Sequence, residues 1–104
     1  MKYKGYIVPT TEPHENEMYV PNLDIYFTTP NQYGVSWLRF GVSSDIPSII
    51  REQPHLAFDV DSIDEAIKGK EVLVGPVEPK DMGVRTAVIV EDGVLIEFVE
   101  EIKD

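Results

Sequence analysis

The dipeptide Asp92-Gly93 separates two stretches rich in β-branched residues, and this feature most limits how the chain can fold. The two stretches are residues 85–91 and 94–99. A two-residue Asp-Gly link is a strong signal for a β-hairpin, because a tight turn needs backbone angles that these two residue types tolerate. If the dipeptide forms the turn, Val88 lies opposite Glu97. The sequence therefore predicts an antiparallel hairpin of known register.

A strand, a helix and another strand are predicted ahead of this hairpin. Residues 55–60 alternate between two faces, as a strand does. Ser62 and Glu65 fit a capping box, in which each side chain bonds a free backbone amide at the start of a helix. Gly69 is suited to end that helix. Residues 71–74 return as a strand and 75–83 as a loop, so residues 54–104 form a complete β-α-β-β-β module.

The first half of the chain, residues 1–53, is rich in strands and lacks a comparable helix. Strands are predicted at residues 3–8, 23–29 and 35–42. Residues 10–21 are polar and contain two prolines, so they are predicted to form a loop. A helical turn is expected at residues 47–51. Because 104 residues suffice for one core but not for two, both halves are expected to belong to one α+β domain, residues 1–104.

Charge and composition exclude several classes of function. The net charge of -10 argues against nucleic acid as a partner, since proteins that bind phosphate backbones carry clustered basic residues. The absence of cysteine excludes disulfides and thiolate metal sites. No apolar run reaches the length of a membrane helix, and the N-terminus does not resemble a secretory signal. A cytoplasmic protein without a membrane partner is therefore expected.

Glu97 and His55 are the residues best suited to carry chemistry. Glu97 is the one charged residue in the apolar run 94–99, and a buried carboxylate needs a cation, hydrogen-bond donors or a proton. It is a candidate metal ligand or general acid or base, or else a carboxylate that reaches solvent or pairs with Arg85 or Arg39. His55 opens a strand and is either a structural histidine or a ligand, since imidazole with carboxylate is a common ligand set for Zn, Ni, Mn and Fe.

The second half resembles the second module of the glyoxalase/bleomycin-resistance family, also called the vicinal oxygen chelate superfamily. The resemblance rests on His55 at the start of a strand, the Val-Asp-Ser-Ile helix start at residues 60–63, and the Asp-Gly hairpin leading into Leu-Ile-Glu at residues 95–97. It implies two βαβββ modules whose curved, mostly antiparallel sheets form a cup, with a degenerate first module at residues 1–53. It also implies that His55 and Glu97 occupy the metal-ligand positions of the second module.

The first half departs from the family pattern at both of its expected ligand positions. Where the resemblance implies a histidine near Gly5, the neighbours are Tyr3, Lys4 and Tyr6, and where it implies a carboxylate the chain has Arg39. Arg39 would pair with Glu97 or hold an anionic ligand group if it faced the cup, and otherwise it is an exposed arginine on a strand. Trp37 is a candidate for the wall of the pocket or else a core residue. His14 is a candidate third metal ligand if its loop folds over the cup, or else a solvated loop histidine.

Two functions follow from the resemblance. The first is a metal-free protein that binds a small molecule in the cup, with Trp37 and Arg39 as ligand-binding residues. The second is a lyase, isomerase or dioxygenase-type enzyme that uses a divalent metal (Zn, Ni, Mn, Fe or Co). In that enzyme, His55 and Glu97 hold the metal and Glu97 is also catalytic. A homodimer is expected in both cases, since the short first half leaves sheet edges that one copy covers poorly.

Overall fold

One mixed sheet of eight strands, curled into a half-barrel, carries both halves of the chain. The computed structural model describes residues 1–103. The strands are β1 (Lys2–Pro9), β2 (Met18–Val20), β3 (Ile25–Phe27), β4 (Val35–Phe40), β5 (His55–Asp59), β6 (Glu71–Val77), β7 (Val84–Glu91) and β8 (Val94–Glu101). The helices are α1 (Ser48–Glu52) and α2 (Ile63–Ala66). No helix within residues 1–103 has the length and apolar character needed to cross a membrane.

The strand order is β2-β3-β4-β1-β5-β8-β7-β6, and it repeats one arrangement in the two halves. In each half the first strand lies parallel to the last, β1 with β4 and β5 with β8. The antiparallel pair of β1 and β5 joins the two sets of four strands. The predicted α+β cup fold is confirmed. Its two expected sheets, however, join edge to edge into one, because β1 and β5 satisfy each other's backbone groups.

The hairpin of β7 and β8 has the predicted register, with Val88 opposite Glu97. Asp92 and Gly93 form its turn, and both have positive φ angles, 51° and 78°. Two successive positive φ angles are typical of a type I′ turn, whose twist matches that of the flanking strands. The local turn chemistry therefore fixes which residues of β8 face each side of the sheet.

Helix α2 covers the outer side of the second half. Its Ile63 side chain is fully buried against Ala87, Ile89 and Phe98. The α-helix is shorter than the predicted segment, because the chain tightens into turns after Ala66. The backbone amide of Ile63 also donates a hydrogen bond of 2.7 Å to the Glu100 carboxylate of β8. This contact attaches the start of the helix to the sheet.

Ser62 caps α2, and its replacement by alanine is expected to lower stability without affecting the concave side of the sheet. The Ser62 hydroxyl accepts a hydrogen bond of 3.2 Å from the Glu65 amide. Loss of such a cap costs about 1 kcal/mol. Urea unfolding of Ser62→Ala should show this loss, while ligand or metal binding should match that of the wild type. A large loss of binding at normal stability would contradict the purely structural role of this residue.

The first half contains a strand that the sequence did not predict. Met18–Val20, inside the predicted loop, forms β2 and pairs with β3. The strand predicted over residues 23–29 spans only Ile25–Phe27, and its later start follows from the positive φ of 50° at Asp24. In the second half, β6 continues to Val77, three residues beyond its predicted end. No helix follows β1 within residues 10–17, as expected from the prolines.

Candidate functional site

The concave side of the sheet forms a partly open cavity of about 350 Å³. Both halves of the chain contribute its apolar wall, with Ile7 from β1, Leu38 from β4, and Val88 and Val99 from the second half. Helix α1 packs on the same side, where its buried Ile50 contacts Val88. Because side chains alternate along each strand, every second residue of these strands faces the cavity. The cavity is thus a mostly apolar space between the two halves.

His55 and Glu97 meet at this cavity. His55 is 3% exposed, and its Nε2 atom lies 3.7 Å from Oε1 of Glu97, whose side chain is 21% exposed. Their strands are neighbours, and Glu97 pairs with Ala57, two residues after His55. Both side chains line the cavity. The structure therefore brings together the two residues that the sequence singled out, although they are 42 positions apart.

The His55 imidazole is not satisfied by hydrogen bonds within the described chain. Its Nδ1 atom is buried and has no hydrogen-bond partner among residues 1–103. Its Nε2 atom lies 3.7 Å from Glu97, beyond hydrogen-bonding distance, and the Glu97 side chain is 21% exposed, so its carboxylate reaches solvent as one of the sequence-based alternatives expected. Buried polar groups in proteins are normally paired, so an unpaired imidazole nitrogen beside a cavity is a feature to be explained.

The two arginines considered as partners of Glu97 are held elsewhere, so those interpretations are wrong. The Nε and Nη2 atoms of Arg39 donate hydrogen bonds of 2.8 and 2.7 Å to the carboxylate of Glu17. Arg39 also lies over the Tyr26 ring, 3.9 Å from its centroid. Arg85 approaches Asp64 and Glu100 at 3.8 and 3.6 Å. Each guanidinium therefore has acidic partners outside the cavity.

The predicted ligand-binding pair Trp37 and Arg39 does not face the same cup as His55. Ser36 and Leu38 of β4 line the cavity, and alternation along the strand places Trp37 and Arg39 on the opposite face. Trp37 stacks on the imidazole of His14, with ring centroids 5.2 Å apart. His14 is therefore also remote from the cavity and does not serve as a third ligand beside His55.

Ser36 is a cavity residue that sequence reasoning missed. Its side chain is 8% exposed, and it shares the face of β4 that carries Leu38. The sequence contained a signal for this residue. Ser36 alternates with Leu38 and Phe40 on one face of the strand, so it is a polar residue on an apolar face that points toward a core. Thr86 of β7 adds a second small polar group to the wall.

The cavity residues of the first half offer no strong metal ligands. Gly5 and Ile7 of β1 face the cavity, and so do Ser36 and Leu38 of β4. Within residues 1–103 no cluster of three or more histidine, aspartate or glutamate side chains could hold a metal ion. His55 and Glu97 alone fall short of the three protein ligands that catalytic zinc sites use. His55 and Glu97 therefore supply suitable metal-binding atoms, but fewer than a protein metal site normally has.

The Arg39–Glu17 pair makes stability depend on pH. Hydrogen bonding to Arg39 lowers the pKa of Glu17 below its ordinary value of 4.5. A lowered pKa in the folded state stabilises the protein above the unfolded pKa, and this stabilisation is lost as the pH falls through the folded value. Glu17→Gln should therefore unfold at lower urea concentration than the wild type at pH 6. The difference should shrink as the pH falls below 4.5, and a difference that is constant with pH would contradict this assignment.

Asn22 ties the two edges of the half-barrel together. Its side-chain amide donates to the backbone oxygen of Glu78, and its Oδ1 atom accepts from the backbone amide of Lys80, both at 2.9 Å. These bonds connect the segment after β2 with the loop after β6. A larger groove of about 620 Å³ lies beside this link, lined in part by Asp24 and Asp45. It contains neither His55 nor Glu97, so the smaller cavity is the stronger candidate site.

A curved sheet with a cavity on its concave face and a helix on its outer side is the glyoxalase-like cup fold, and solved structures share it. A hypothetical protein from Bacillus halodurans C-125 superimposes with a TM-score of 0.67 at 19% identity, over 99% of this chain and 96% of that one. Methylmalonyl-CoA epimerase from Mycobacterium tuberculosis gives a TM-score of 0.56 at 18% identity, over 95% of this chain and 85% of that one. No protein-family model and no curated protein matches the sequence. The structural likeness establishes the fold.

Proposed function

We propose that this protein binds a small, largely apolar molecule in the cavity, with His55 and Glu97 at the polar end of the site. One observation carries the proposal: the apolar cavity ends on an imidazole that keeps a buried nitrogen without a partner in residues 1–103, and on the partly exposed carboxylate of Glu97 beside it. Ligand sites are typically apolar clefts with a few polar groups that set orientation, and the cavity volume lies at the lower end of their usual range.

The energetic cost of the unpaired imidazole nitrogen supports the same function. A buried polar group without a partner costs the protein about 1–3 kcal/mol relative to the paired state. A ligand that supplies a partner to the His55 imidazole recovers part of that cost on binding, and Glu97 beside it offers a charged acceptor. The cup of the similar M. tuberculosis protein belongs to an enzyme named for a small molecule, which supports a small-molecule role by analogy of fold.

Filling the cavity should test this function. Val84 lines the cavity and is partly buried, so Val84→Phe adds a ring to the ligand space. We expect the affinity for the neutral fluorescent probe N-phenyl-1-naphthylamine to fall about tenfold, which corresponds to about 1.4 kcal/mol of binding free energy. The matched control is Val72→Phe, because Val72 is 37% exposed on β6 and does not line the cavity. Saturable probe binding that both variants leave unchanged would contradict the proposal, and so would a wild type that does not bind the probe.

A second function, a divalent-metal-dependent lyase, isomerase or dioxygenase-type enzyme, is favoured by the distance between His55 and Glu97. Adjacent ligand atoms on a tetrahedral metal with bonds of about 2.1 Å lie about 3.4 Å apart. The observed 3.7 Å is close to this value. A metal held there would act as a Lewis acid on substrate oxygens. The further ligands would come from substrate, water or a second copy in the predicted homodimer, and elemental analysis of purified protein would detect the metal.

A further inference from the structure

The polar end of the cavity has a carboxylate, that of Glu97, with no lysine or arginine paired to it among the described residues. Among the described residues that line the cavity, Lys4 is the one side chain with a permanent positive charge. Its ammonium group lies 3.4 Å from Asp59, and both side chains are about half exposed. The Lys4 ammonium group is therefore paired with Asp59 at the exposed edge of the cavity. Arg39 and Arg85 are held by acids outside the cavity.

A second observation at the same place points to a ligand. His55 is almost completely buried beside Glu97, lines the same cavity, and keeps an unpartnered Nδ1 atom within the described chain. The imidazole does not neutralise the carboxylate by a hydrogen bond, because the shortest approach between them is 3.7 Å. The Glu97 side chain is 21% exposed and stands at the end of a mostly apolar wall, so its interaction with a cation is stronger there than it would be in bulk water.

We infer, on the basis of the proposed function, that the ligand is a small organic cation, with an apolar body and a protonated nitrogen that pairs with Glu97. A charged N–H donor to a carboxylate forms a short hydrogen bond about twice as strong as a neutral one. The apolar walls formed by Ile7, Leu38 and Val88 take the remainder of the molecule. An anionic ligand of the same shape would be repelled by the Glu97 carboxylate. Among the described residues that line the cavity, none offers a free lysine or arginine to offset that repulsion.

Three ligands of similar shape and different charge test the inference. Chelator-treated protein is titrated with 2-phenylethylamine, 2-phenylethanol and 3-phenylpropanoate at pH 7, and displacement of N-phenyl-1-naphthylamine is measured. The wild type should bind the amine at least about tenfold more tightly than the alcohol, and the carboxylate most weakly. Glu97→Gln should abolish the preference for the amine. Glu101→Gln, which removes the same charge from an exposed position of β8, should retain it.

The possible results separate this inference from the proposed function. If the probe binds the wild type and the alcohol binds as tightly as the amine, the organic-cation inference is overturned while the binding function stands. If the probe does not bind the wild type, both are overturned. If added Zn²⁺ makes the carboxylate the tightest ligand, a metal occupies the place assigned to the ligand nitrogen, and the inference is again overturned. The order of affinities for the amine, the alcohol and the carboxylate in the wild type tests the inference even if Glu97→Gln does not fold.

Discussion

Gly5→Ala is expected to lower the free energy of unfolding by about 2–3 kcal/mol, within the range for groups forced into packed interiors. An added Cβ atom at Gly5 would lie 2.5 Å from the backbone oxygen of Gly34, closer than real contacts allow. That oxygen cannot easily withdraw, because it accepts a hydrogen bond of 2.8 Å from the Tyr6 amide. The clash lies at the centre of the sheet, where β1 pairs with both β4 and β5. Urea unfolding of the two proteins measures the difference.

Gly69→Ala is the matched control for this experiment. Gly69 has a φ of +71°, yet a Cβ atom there would meet nothing within 4 Å. The expected cost is the backbone strain alone, about 1–2 kcal/mol for a residue with a side chain in the left-handed region. If Gly5→Ala costs no more than a few tenths of a kcal/mol, the close approach of the strand to Gly34 is not part of the native packing.

Glu97→Gln is expected to distinguish the two functions in thermal melts with and without Zn, Ni, Mn or Co. If the protein is a metal-free binder, metals should not shift the melting temperature of either protein. The variant should then be at least as stable as the wild type, because glutamine removes a mostly buried charge that no lysine or arginine of residues 1–103 neutralises. If a metal binds, saturating it at about 100 times its dissociation constant should stabilise the wild type by about 2.7 kcal/mol. That stabilisation should be largely lost in the variant.

Glu101→Gln serves as the control for metal bound to the acidic surface. Glu101 is exposed at the end of β8 and does not line the cavity. A metal that stabilises the wild type, Glu97→Gln and Glu101→Gln equally binds elsewhere on this chain of net charge -10. Equal stabilisation of all three proteins would therefore contradict a metal site at His55 and Glu97.

The second half was predictable because its signals are local. Asp92-Gly93 specifies a two-residue turn, and the turn fixes which residue lies opposite Glu97. Ser62 caps its helix through a contact three residues away. Such features depend on a few neighbouring residues, so the sequence contains most of the information that decides them.

The first half was less predictable because its pairings depend on distant residues. The short strand β2 exists through its ladder with β3, and polar residues and prolines surround it. The joining of the two sheets depends on contacts between β1 and β5, about 50 residues apart. Trp37 was proposed for the site as an aromatic residue on a strand, but alternation alone does not say which face of β4 is concave, and the cavity lies on the other face.

The central position of β1 has a consequence for the synthesis of the protein. The strand needs two partners, and one of them, β5, begins at His55. A ribosome that adds 5–20 residues per second requires several seconds to extend the chain from β1 to the end of β5. During that time the free backbone groups along one side of β1 remain open to pairing with any other extended chain. The second half thus protects the first from misassembly, and a pause in translation before His55 would prolong the vulnerable period.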